Sequence, residues 1–117
     1  MLNQILENLV TTAVGSRAAI FLDGDGEAIA QAGQTASDMK LLGAWKEIHL
    51  DRIKEITERL GLGAVKAVLF TLEEGNELIA PVAGDYCLLL FLSNYADIQD
   101  ALGKLKTAIE LLQKDIE

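Results

Sequence analysis

A chain of 117 residues suits one compact domain, here 1–117, and is too short for two with separate cores. Half of the residues are hydrophobic and 24% are charged, which excludes an intrinsically disordered chain. Ten Lys and Arg stand against eighteen Asp and Glu; the resulting formal charge of -8 repels phosphate backbones and anionic lipid heads, which argues against nucleic acid and membrane partners.

Leu2, Ile5, Leu6, Leu9 and Val10 recur at three- and four-residue spacing and predict a short amphipathic helix over 2–13. The amino terminus lacks the basic start and apolar run of a signal peptide, and no stretch is long enough to span a bilayer, so a cytoplasmic location is expected. Ala18–Leu22 and Glu27–Ala30 read as strands joined by the turn Asp23-Gly24-Asp25-Gly26, in which the glycines take positive φ and the carboxylates bond local amides. Residues 31–37 lack periodicity and predict a loop ending at a helix cap on Ser37.

The next helix is expected over Asp38–Leu60, stopped by Gly61. Leu41, Trp45 and Ile48 form one apolar set on it, and Leu42, His49, Ile53, Ile56 and Leu60 continue a rotated one. Such a stripe is wider than one sheet contact needs, so one flank is expected on the sheet and the other against a second chain; the alternative is a stripe satisfied within its own domain. Residues 38–59 hold five basic and five acidic side chains, which leaves five basic and thirteen acidic for the rest of the chain.

Val65–Leu72 is strand-like, Glu73-Glu74-Gly75-Asn76 reads as a hairpin connection, and Glu77–Val82 returns as a strand. Pro81 has no amide hydrogen and must stand at a strand end, a bulge or an unpaired side. Gly84-Asp85 supplies a turn into Tyr86–Ser93, whose run Cys87–Leu92 is apolar on both faces and belongs in the middle of a sheet. Ile98, Leu102, Leu105, Ile109 and Leu112 define a last helix over Tyr95–Lys114, with Asn94 as its cap.

This order of helix, two strands, long helix, three strands and helix, together with the segment Arg17–Ala30 around its Asp-Gly turn, resembles the roadblock/LC7 family over nearly the whole chain. Among prokaryotic members the resemblance is to stand-alone MglB-like proteins. It implies an α/β (α+β), profilin-like sandwich: a five-stranded antiparallel sheet with the long helix on one face and the terminal helices on the other. Family members dimerise by pairing their third strands and setting their middle helices side by side. They serve small Ras-like GTPases as regulators or scaffold subunits, or act as light-chain-like adaptors in motor complexes. The resemblance thus implies a homodimer, a GTPase partner, no cofactor and no enzymatic activity of its own. An adaptor without a GTPase and a small-ligand sensing domain stand as alternatives.

On this reading the dimer interface comprises Leu41, Trp45, Ile48, His49, Arg52, Ile56, Val65, Ala67 and Leu69, and Arg52, Lys54 and Arg59 are partner-docking candidates. Asp23, Gly24, Asp25 and Gly26 are assigned to a structural turn, because the later ligands of a calcium loop are absent and no Gly-Lys-Ser or Gly-Lys-Thr follows. His49 and Cys87, the sole histidine and the sole cysteine, lack a metal-binding spacing, and Cys87 reads as a small core residue in a chain suited to a reducing compartment. No residue is assigned to catalysis or to a metal.

Overall fold

Six consecutive apolar residues leave no polar face for solvent, and the chain buries all six in the central strand of a five-stranded antiparallel sheet. This strand is β5 (Cys87–Leu92), preceded by α1 (Leu2–Thr12), β1 (Ser16–Leu22), β2 (Ala28–Gly33), α2 (Ser37–Arg59), β3 (Val68–Leu72) and β4 (Gly75–Pro81), and followed by α3 (Ile98–Asp115). The sheet order is β2-β1-β5-β4-β3, so β2 and β3 are its edges. The structure is a computed structural model and describes residues 1–34 and 37–116, without the side chains at 37–42 and 44–47. Among the described residues no helix is long and apolar enough to cross a membrane.

Strand alternation divides the apolar side chains into two layers. On one face Phe21, Leu78, Leu88 and Leu90 pack with Leu6 and Leu9 of α1 and Leu105 and Leu112 of α3. Tyr86 stacks on Phe21 there, with ring centroids 5.5 Å apart. On the other face Ile20, Leu22, Ile79, Leu89 and Cys87 pack with Leu50 of α2. Gly43 of α2 is buried on this face, where a Cβ would meet Leu89 Cδ2 at 3.4 Å, the edge of ordinary van der Waals contact. The resulting architecture is a five-stranded antiparallel sheet with helices on both faces.

Several boundaries differ from the sequence reading, each for a physical reason. The third strand begins at Val68 rather than Val65. Its ladder with β4 stops at the pair Val68 and Ile79, and two positions further on Pro81 has no N–H to donate to the chain at Lys66. The second strand runs on to Gly33, with Ala30 and Ala32 facing the core; small side chains gave this stretch no hydrophobic contrast. The last helix begins at Ile98, capped by Asp97, whose Oδ1 accepts from Asp100 N at 3.2 Å. Asn94, the expected cap, instead donates from Nδ2 to Glu73 O across 3.1 Å. At the end of α2, Leu62 N donates to Thr57 O and Gly61 N to Glu58 O, a Schellman closure for which Gly61 takes φ 69°.

Candidate functional site

The sheet-facing line of α2 passes through Gly43 and Leu50, the latter 2% exposed. Among the described residues the opposite flank is exposed. Ile48 is 61% exposed, Ile56 55% and Leu60 66%, and His49 and Arg52 are exposed between them. Ile56 and Leu60 lie one helical turn apart and Ile48 two turns before Ile56, so among the described residues these aliphatics share one side of the helix, with Arg52, Glu55 and Arg59 beside them. Leu62, 70% exposed, prolongs it beyond the helix.

The edge strand β3 adds a second feature. It carries no charged residue, and Leu72 is 47% and Leu69 42% exposed. Register places Val68, Phe70 and Leu72 on the α2 face, because Val68 pairs with Ile79 of that layer. Among the described residues β3 has no strand on its outer side, and an apolar edge strand is a template for another strand. The hairpin Glu73-Glu74 closes β3 onto β4 in two residues, with Leu72 opposite Gly75.

The expected interface residues are therefore only partly brought together. Ile48, His49, Arg52 and Ile56 share the exposed flank. Leu69 lies on the other face of the edge strand. Val65 and Ala67 precede the strand and are half-buried, Val65 against the α2-side core and Ala67 against the α3-side core. Leu41 and Trp45 lie outside the residues whose side chains are described. Sequence reasoning missed Leu62 and Leu72; an apolar residue between two glycines, Gly61 and Gly63, was the available signal for the first.

The three docking candidates also separate. Arg52 is exposed, whereas Lys54 is half-buried and lines a hollow of about 630 Å³ with Thr57, Glu58 and Val65. Arg59 bonds Glu55 Oε1 at 3.1 Å in an exposed pair one helical turn apart, which contributes little to stability.

The Asp23–Gly26 turn is occupied by its own backbone. Asp23 Oδ1 accepts from Asp25 N at 2.9 Å and from Glu27 N at 3.0 Å, and Gly26 takes φ 81°. Gly24, contrary to expectation, needs no positive φ; it is small because Asp85 Cβ would stand 2.7 Å from an added Cβ. Cys87 is 1% exposed in the core and His49 lies on the exposed side of α2. Among the described residues no group of three or more His, Cys, Asp or Glu could hold a metal ion.

No family model and no curated protein matches the sequence. Solved structures do match its fold. A roadblock/LC7 domain from Streptomyces avermitilis superposes with TM-score 0.88 at 16% identity, over 97% of this chain and 96% of that one. Myxococcus xanthus MglB gives TM-score 0.88 at 17% identity, over 98% and 94%. A structure described as MglB with tetrameric arrangement gives 0.86 at 16% identity, over 97% and 85%. At these identities the likeness is one of fold, and the fold is that of roadblock/LC7 domains.

Proposed function

We propose that this chain forms a homodimer through the exposed flank of α2 and the edge of β3, and that the dimer is a scaffold or regulator of a small Ras-like GTPase. It acts by protein contact and supplies no catalytic residue. The observation that carries this reading is the strip of Ile48, Ile56 and Leu60, more than half exposed on one side of a helix whose other side already fills the core. A standard interface removes about 800 Å² from each partner, roughly a ninth of this chain's 7033 Å².

Three further features support it. Pairing β3 with its symmetry mate would satisfy the edge's backbone groups. The helix that would meet its copy belongs to a segment with five acidic and five basic residues, in a chain that is otherwise strongly acidic. The fold is shared with MglB structures, one of them described as tetrameric, and the roadblock/LC7 resemblance brings the GTPase with it. Val65 and Ala67, half-buried in their own domain, fall outside the proposed contact, and Leu60, Leu62 and Leu72 enter it.

The test is light scattering coupled to size-exclusion chromatography, comparing wild type with the double variant Ile48→Lys, Ile56→Lys. Wild type is expected at twice 12.6 kDa and the variant at the monomer mass with unchanged circular dichroism. Purified small Ras-like GTPases from the same genome, loaded with GDP or GTP, are then assayed for binding, hydrolysis and nucleotide release. A dimer that engages none of them would leave the adaptor function, and a folded wild-type monomer would remove the dimer altogether.

A further inference from the structure

Pro81 ends the β3–β4 ladder and has a second effect on the other side of the sheet. Among the described residues, 62–67 have no strand partner, and α3 stands across from Val65, Lys66 and Ala67. Between the two lies a groove of about 520 Å³, within the range of small-ligand sites. Its floor includes Val82, 5% exposed, and Leu105, 2% exposed, so it is a surface feature laid over a filled core. Leu102 and Ile109 form the helical wall. Gln113 Nε2 donates to Val82 O at 2.6 Å and ties the end of α3 to the floor.

The charges of this groove are opposite to those of the chain. Lys66 and Lys106 line it, both exposed, and neither makes a hydrogen bond or ion pair among the described residues. No Asp or Glu lines it, although acidic residues outnumber basic ones eighteen to ten. Two unpaired ammonium groups beside acid-free apolar walls present a positive local potential to an incoming anion. The walls hold aliphatic side chains and no aromatic ring, which suits a flexible hydrocarbon chain better than a stacked base.

We infer that this groove binds a free aliphatic carboxylate of the fatty-acid type, with its chain along Leu102, Leu105 and Ile109 and its head group at Lys66 and Lys106. The ligand is taken as a single molecule rather than in a bilayer, because a chain of charge -8 is repelled by an anionic membrane surface. Such binding is independent of the α2 flank and of any GTPase.

Decanoate below its micelle concentration is the probe, titrated into the 15N-labelled full chain, with decanol as the neutral control of equal chain length. Saturable shifts are expected at residues 65–67, 82–84 and 102–109, with decanoate binding more tightly than decanol. The double variant K66Q/K106Q removes only exposed charge and should fold as wild type. It is expected to bind decanoate roughly three- to tenfold more weakly and to lose the preference over decanol. Equal affinity for the two head groups in wild type would overturn the inference, as would shifts confined to α2. Retention only on anionic vesicles, or shifts at the groove produced by an acidic peptide but not by decanoate, would overturn it too.

Discussion

Leu50 and Ile56 are both large aliphatics on one helix, and their surroundings make them unequal. Leu50 is 2% exposed against Ile20, Ile79 and Leu89, so Leu50→Ala should leave a cavity and cost about 2–5 kcal/mol in urea unfolding. Ile56 is 55% exposed, and Ile56→Ala in protein dilute enough to be monomeric should change stability by less than about 0.5 kcal/mol. Glycines divide in the same way. Gly24→Ala places a Cβ 2.7 Å from Asp85 Cβ and should destabilise by about 1–3 kcal/mol. Gly103 lies inside α3 with nothing within 4 Å of an added Cβ, so Gly103→Ala should stabilise by roughly 0.5–1 kcal/mol. Urea midpoints of the two variants should therefore move in opposite directions. The Asp-Gly turn was legible in the sequence, but the reason for Gly24 was not, because Asp85 belongs to the β4–β5 connection, distant in the chain and brought beside the turn only by the pairing of β1 with β5.

Elements were legible where apolar periodicity was strong. The run Cys87–Leu92 could only be central, and the three- and four-residue steps from Ile98 to Leu112 could only be a helix with one buried face. The sheet-facing line of α2 is hard to read from the sequence, because the buried Gly43 adds nothing to a hydrophobic pattern. Leu50 is the buried aliphatic of α2, and Ile48 and Ile56 widen the apolar stripe because they lie on a different side, exposed among the described residues. Ends were harder still, since a cap is one side chain accepting one amide. Asp97→Ala removes the bond to Asp100 N and should cost roughly 0.5–2 kcal/mol with lower helix content at the start of α3. Asn94→Ala removes an exposed bond to Glu73 O and should cost less while leaving the helix unaltered. Amide exchange at Gln99–Ala101 distinguishes the two: protection should fall in the Asp97 variant alone.

At the scale of the whole molecule, an apolar flank and a net charge act against each other. Burying Ile48, Ile56 and Leu60 against a second copy favours association, and bringing together two chains of charge -8 opposes it. The locally neutral middle segment limits the short-range repulsion, so the opposing term is mainly long-range and is screened over about 10 Å at 0.1 M salt. Two consequences carry definite signs. If folding and dimerisation are linked, the wild-type melting temperature should rise by a few °C for each tenfold increase in protein concentration. The Ile48→Lys, Ile56→Lys variant should show no such dependence. Raising ionic strength from about 0.01 to 0.15 M should then tighten the dimer, since salt removes repulsion and leaves apolar burial intact. Light scattering across a dilution series at each salt concentration measures this directly. Weaker association at higher salt would mean that attractive ion pairs, not the aliphatic strip, hold the two chains together.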